Sequence, residues 1–171
     1  MALNLTIRKA LANEVETLAD VAFVAWERDL LPFLVGQAAS RAAEKQRLAS
    51  AVREGLDRII VAEVNELAVG WCQRIRGRAY VPFLFVTPTL QNQGVGSALL
   101  RRMESMLELE NESRVLLETP ADNVRAVHFY ERQGYHILAL KPEGRDPAGP
   151  LMSVRLEKRL NPFRGPVPDT D

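Results

Sequence analysis

Two short runs in this chain have the residue types and spacing for chemistry on a phosphate-bearing ligand. In the first, the apolar stretch Leu84-Phe85-Val86 ends at Thr87-Pro88 and is followed by Gln91-Asn92-Gln93-Gly94-Val95-Gly96-Ser97. A strand ends, a glycine-bearing loop follows and an amphipathic helix begins. The first turn of a helix offers unpaired N–H groups and the positive end of a dipole, which a pyrophosphate needs. Glycine at 94 and 96 removes Cβ atoms that would hold a phosphate off the main chain. The second run is Asn123-Val124-Arg125-Ala126-Val127-His128-Phe129-Tyr130-Glu131-Arg132-Gln133-Gly134-Tyr135. Asn123 is placed to cap a helix. Ala126, Phe129 and Tyr130 share one face of it, so from spacing alone Tyr130 reads as core before it reads as a proton donor.

Other readings of the loop fit less well. A dinucleotide fingerprint needs Gly or Ala where Leu99 stands, and a nucleotide-triphosphate loop needs a lysine between Gly96 and Ser97. A tight turn serving only the helix start is the bland alternative.

The two runs together resemble the Gcn5-related N-acetyltransferase (GNAT) superfamily. Its acetyl-CoA signature is Gln or Arg, two residues, Gly, one residue, Gly or Ala, and Gln91, Gly94 and Gly96 fill it in register. Its second block is filled by Asn123, Ala126, Phe129, Tyr130, Glu131, Gly134 and Tyr135. The resemblance implies a single α/β (α+β) domain with a mixed, mostly antiparallel sheet of about seven strands, helices on both faces, and fourth and fifth strands that splay to admit acyl-CoA. It implies that Leu84, Phe85 and Val86 pair with the pantetheine arm, the Val86 N–H facing the thioester carbonyl. The loop from Gln91 through Asn92, Gln93, Gly94, Val95 and Gly96 to Ser97 would take the pyrophosphate, and Asn123 would touch the pantetheine. Tyr130 becomes the general acid for the departing thiolate. The implied reaction is direct acetyl transfer from acetyl-CoA to a primary amine in a ternary complex. The alternative is a non-catalytic acyl-CoA-binding module with a degenerate site.

The base is the weak point of that template. Many relatives carry a carboxylate on the fourth strand, and Tyr80-Val81-Pro82-Phe83-Leu84-Phe85-Val86 has none. Glu118 is the next candidate, because Leu117-Glu118-Thr119-Pro120-Ala121-Asp122-Asn123 is similar to the corresponding segment of ribosomal-protein alanine N-acetyltransferases. Its bland reading is an ion-paired carboxylate on a sheet edge. Glu63, Glu27 and Asp29 are poorer candidates, and a water chain could replace a direct base. Pro82 is awkward, since a proline in a central strand removes a ladder hydrogen bond.

The elements that must position these residues follow from periodicity. Leu3 to Arg8 alternates as a strand. Asn13 with Glu16 has capping-box spacing, predicting a helix from there with Val15, Leu18, Ala19, Ala22, Phe23 and Trp26 inward. Pro32 and Gly36 end it, and a second helix spans roughly 38–55. Ile59 to Val64 and Ala68 to Gln73 pair across Asn65-Glu66. Tyr80 to Val86 is the fourth strand. Val95 to about Glu110 is a helix with Leu99, Met103 and Met106 inward. A strand over 114–118, a helix over 123–133 and a strand over 135–140 follow. Residues 142–150 read as a loop, and Leu151 to Lys158 as a last strand.

Composition bounds the rest. The chain has 171 residues, 26% of them charged, with a formal net charge of +0. That predicts one domain over 1–160 with a proline-bearing tail over 161–171, and no affinity for nucleic acid or an anionic membrane. No apolar run reaches membrane-span length, and residues 1–20 lack a signal-peptide layout, so the expected location is cytoplasmic. Cys72, the single cysteine, reads as a core thiol. His128 and His136 lack metal-ligand spacing, so no metal is expected. Arg101, Arg102 and Arg132 read as solvated helix charges that could meet CoA phosphates. The expected partners are acetyl-CoA and an amine acceptor, either a small molecule or a peptide N-terminus, on a monomer or homodimer.

Overall fold

The computed structural model describes residues 4–33, 41–143 and 151–161. Its elements run β1 (Leu5–Lys9), α1 (Val15–Asp29), α2 (Arg41–Gly55), β2 (Ile59–Val64), β3 (Leu67–Gln73), β4 (Tyr80–Val81), β5 (Phe83–Val86), α3 (Val95–Leu109), β6 (Arg114–Pro120), α4 (Val124–Arg132), β7 (His136–Glu143) and β8 (Leu151–Arg159). The strands form two four-stranded sheets, ordered β1-β2-β3-β5 and β4-β6-β8-β7. All pairings are antiparallel except β4 with β6.

The expected fourth strand is thus two short strands divided at Pro82. Tyr80 and Val81 pair with Leu116 and Leu117 of β6, whereas Phe83 to Val86 pair with Gln73 to Gly70 of β3. Pro82 stands where the chain leaves one sheet for the other, so its missing N–H interrupts no ladder. The split is the splay itself.

The run Ile59-Ile60-Val61-Ala62 is apolar at every position because β2 is covered on both faces. Ile59 and Val61, with Trp71 and Phe85, pack under α1 and α2 against Leu18, Ala22, Trp26, Leu48 and Val52. Ile60, Ala62 and Cys72 face the other way, toward Leu99, Leu100, Met103 and Leu107 of α3 and the second sheet's Val115, Leu117, Val154 and Leu156. The indole N–H of Trp71 donates to the Leu18 carbonyl at 2.8 Å, satisfying the one polar atom of that buried ring. The β2–β3 turn has Asn65 and Glu66 at φ 50° and 64°, the two left-handed residues of a tight hairpin.

Several local expectations change. The capping pair is not Asn13 with Glu16. A 3₁₀ turn over Ala12–Glu14 precedes α1, and the Glu14 carboxylate accepts from the Leu11 N–H at 2.8 Å. Arg8 holds that carboxylate in place at 2.6 Å and keeps it below the usual carboxylate range. In α3 Met106 packs against the core as expected though only half-buried, and Leu100 and Leu107 join the core as well. β7 runs on through Pro142 to Glu143, pairing with Met152 and Leu151. It is an edge strand, where proline costs least. The expected start of α2 at 38–40, most of the 142–150 loop and nearly all of the tail lie outside the described residues. Among the described residues no helix is long and apolar enough to cross a membrane.

Candidate functional site

A cavity of about 520 Å³ opens where the sheets part. Leu84, Phe85 and Val86 of β5 form one wall, and Asn123, Ala126, Phe129 and Tyr130 of α4 another. Asn92, Gly94, Gly96 and Ser97 line it too, as do Ala25, Asp29 and Leu30 of α1 and Arg47 of α2. Glu118 and Thr119 of β6 complete it. Of the residues expected at the ligand, Gln93 and Val95 are missing from this lining. The Gln93 amide turns to the Thr89 carbonyl at 3.0 Å, and Val95 is a core side chain.

β5 presents usable main chain to this space. It is the edge of its sheet, with β3 on one side only. The Thr87 N–H donates to the Val69 carbonyl at 2.7 Å, which fixes the alternation along the strand. Opposite pairs in an antiparallel ladder alternate between bonded and non-bonded, so the main-chain groups of Val86 and Leu84 point away from β3 into the gap. The Val86 carbonyl there accepts from the Gln91 side chain at 3.1 Å. An edge N–H facing a partly enclosed cavity calls for a hydrogen-bonding ligand or water.

Each loop glycine also has a reason within the protein itself. Gly94 has φ +85° at the start of α3, and a Cβ built on it meets nothing within 4 Å. Conformation, not crowding, demands glycine there. At Gly96 a Cβ would come within 3.3 Å of the Phe129 ring, so a small residue lets α3 approach α4 beside the cavity.

Asp29, Gln91, Asn123 and Arg125 join around this site. Gln91 Nε2 donates to Asp29 Oδ2 at 2.5 Å, and Arg125 donates to Gln91 Oε1 and reaches Asp29 Oδ1 at 3.5 Å. The Asn123 side chain caps α4 by accepting from the Ala126 N–H at 3.2 Å, as its sequence position predicts. Its Nδ2 donates to the Asp29 carbonyl at 3.5 Å. Sequence reasoning ranked Asp29 low and passed over Arg125. One signal was available: a carboxylate ending a helix and a guanidinium beginning one are each the wrong charge for their own dipole. Here the two ends meet and each charge finds its partner.

Tyr130 lies half-buried in the lining, with ring contacts to Phe129 at 5.1 Å and Tyr135 at 5.8 Å. Burial pushes its hydroxyl well above the ordinary phenol range, so near neutral pH it is a proton donor. Among the described residues its hydroxyl has no hydrogen-bond partner. Glu118 is ion-paired, as its bland reading predicts, but not on a sheet edge. Its strand is flanked by β4 and β8, and Glu118 sits just beyond the two-residue β4. Arg155, opposite it on β8, binds its Oε1 at 2.5 Å, and Lys141 of β7 lies at 3.4 Å.

Cys72 is fully buried, and burial raises its thiol far above the reactive range. Among the described residues no His, Cys, Asp and Glu cluster could hold a metal. Arg101 and Arg102 are exposed on α3, whereas Arg132 borders the cavity.

Residues 55–137 match the model of the acetyltransferase (GNAT) domain. The uncharacterized protein YdhI of Bacillus subtilis (strain 168) is 36% identical over 59 residues, which span 34% of this chain and only 37% of that relative. Apo YjaB from Escherichia coli superposes with a TM-score of 0.71 at 22% identity, over 90% of this chain and 96% of its own. YncA from Salmonella typhimurium, solved with its cofactor acetyl-CoA, does so with a TM-score of 0.66 at 17% identity, over 96% and 99%. At these identities the two structures speak for the fold.

Proposed function

We propose, from the match of residues 55–137 to the acetyltransferase (GNAT) domain and the likeness of fold, transfer of an acetyl group from acetyl-CoA to a primary amine by direct attack in a ternary complex. The observation that carries this reading is the outward main chain of Leu84 and Val86, at a sheet edge facing a cavity large enough for a ligand. An extended pantetheine satisfies those groups as an added strand. The pyrophosphate then meets the first turn of α3, whose N–H groups have no intrahelical acceptors. YncA, of the same fold, was solved with acetyl-CoA.

The chemistry follows from the side chains present. A neutral amine attacks the thioester carbonyl, and charge develops on the carbonyl oxygen, where the Val86 N–H donates. The C–S bond breaks, and Tyr130, kept protonated by its burial, gives the thiolate its proton. The proton lost by the amine goes to Glu118 directly or through water. Glu118 borders the cavity, but taking that proton loosens its hold on Arg155 and Lys141.

That clamp favours a second reading, a non-catalytic acyl-CoA-binding module. Free-thiol release from acetyl-CoA against a panel of primary amines and peptide N-termini separates the two. Turnover of any amine above the rate without acceptor is expected. Tight acetyl-CoA binding with no thiol released from any member would favour the binding module.

A further inference from the structure

We propose that the acceptor is an α-amino acid, its amine set against Glu118 and its carboxylate taken by Lys141 and the buried Ser153 hydroxyl. The inference rests on the acetyltransferase reading and names the acceptor class of that same site.

Opposite residues of an antiparallel ladder share a face. One face of the second sheet therefore carries Glu118 and Pro120 of β6, Ser153, Arg155 and Glu157 of β8, and Lys141 of β7. Glu118 lines the cavity, and Arg155 and Lys141 both bind its Oε1, at 2.5 and 3.4 Å. The other carboxylate of that group, Glu157, is served separately by Arg114 at 3.2 Å and His136 at 3.9 Å. Among the described residues two cations thus share Glu118, and one positive charge is in surplus beside the cavity. Lys141 is the looser of the two, since its bond is long and its side chain is 43% exposed.

Ser153 supplies an independent sign of a ligand. It is fully buried, and its Oγ has no hydrogen-bond partner among the described residues. It stands opposite Lys141 in register, and Lys141 must cross β8 to reach Glu118 on β6, so the lysine stem runs over the strand that holds Ser153. A buried hydroxyl without a partner calls for one. A carboxylate that draws Lys141 off Glu118 accepts from Ser153 as well. It leaves Glu118 with Arg155 alone, as the role of proton acceptor requires. The spacing then sets the ligand's shape. Glu118 and Lys141 lie 3.4 Å apart, so a molecule that meets both must carry its cationic and anionic groups close together. The amine and carboxylate of an α-amino acid hang from one carbon, whereas a polyamine has no carboxylate there and a peptide N-terminus has an amide. The amino nitrogen takes the acetyl group, its proton passes to Glu118, and the products are an N-acetyl amino acid and CoA.

The test measures thiol release from acetyl-CoA by the full chain, with each common amino acid set against its own α-amide. The amide keeps the amine and the side chain and lacks the carboxylate. Its amine is also the less basic and more often neutral near neutral pH, so a preference for the acid reports the carboxylate contact. At least one amino acid is expected to exceed its amide about tenfold in kcat/KM, the order of one hydrogen bond to a charged group. Lys141→Met is expected to abolish that preference, Lys141→Arg to keep it, and Ser153→Ala to reduce it by a smaller factor. A lysine serving only the ion pair would change both acceptors alike and leave their ratio intact, and that result overturns the inference. A wild-type enzyme that turns over amides, polyamines or peptide N-termini as fast as any amino acid overturns it too, and that comparison stands even where a variant fails to fold. Thiol release with no amine at all overturns the acetyltransferase reading and this inference with it, whereas turnover of amines without preference for the free carboxylate overturns this inference alone.

Discussion

Two sets of contacts around the cavity are built in different ways. The segments proposed for the cofactor are contiguous, with a loop and a helix start in one stretch from Gln91 to Ser97 and a capped helix from Asn123 to Tyr130. The ion pairs and side-chain bonds that border them are assembled at long range. Asp29 meets Gln91 and Arg125 across 62 and 96 positions, and Glu118 meets Arg155 across 37. A binding surface for a constant cofactor can be written as a local motif, because helix ends and strand edges supply its donors. A surface that selects one amine must bring together side chains that no spacing rule connects.

The sharpest way to break this contrast is at Tyr130, where local motif and chemistry coincide. Tyr130→Phe keeps the ring contacts to Phe129 and Tyr135 and removes only the hydroxyl. A fall in kcat of ~10²–10⁴ is expected, with acetyl-CoA affinity and fold preserved. Because burial raises this hydroxyl above its ordinary value, the acid form persists as pH rises. The wild-type rate should therefore show no alkaline limb from Tyr130 until well beyond the free phenol range of about 10. Wild-type turnover in the variant would return Tyr130 to a packing role.

Glu118 tests the long-range end. Glu118→Gln keeps the shape but leaves Arg155 and Lys141 without their carboxylate. If Glu118 takes the amine proton, kcat/KM near neutral pH should fall about 10²-fold and partly recover at high pH, where more of the amine is already neutral. A wild-type pH–rate profile assigns the base elsewhere. Loss of stability without a changed profile assigns Glu118 to the ion pair.

How legible each part was follows the same division. The β2–β3 hairpin, the Asn123 cap and the α3 start were readable because each is fixed within a few residues. The break at Pro82 registered in the sequence only as an anomaly, since nothing local says that one strand serves two sheets. Asn13 and Glu16 had the spacing of a cap but not the place. Glu14, held by Arg8 across the turn, took that role instead. Nothing near Arg125 in the sequence points to Asp29, which α1 brings beside it from 96 positions away.

The smallest expected effect separates two glycines that a motif treats alike. Gly94→Ala puts a Cβ into open space, so its cost is conformational, about 1–2 kcal/mol for a left-handed backbone without glycine. Gly96 lies within α3, where alanine is the better helix former by about 1 kcal/mol. Against that gain, its Cβ would press on Phe129 at 3.3 Å, next to Tyr130. Thermal unfolding should show Gly94→Ala destabilised and Gly96→Ala near wild type, while turnover falls more in Gly96→Ala because the displaced ring adjoins the proposed acid. Equal destabilisation with equal turnover would mean that both positions serve the loop alone, and that the α3–α4 contact has no part in placing Tyr130.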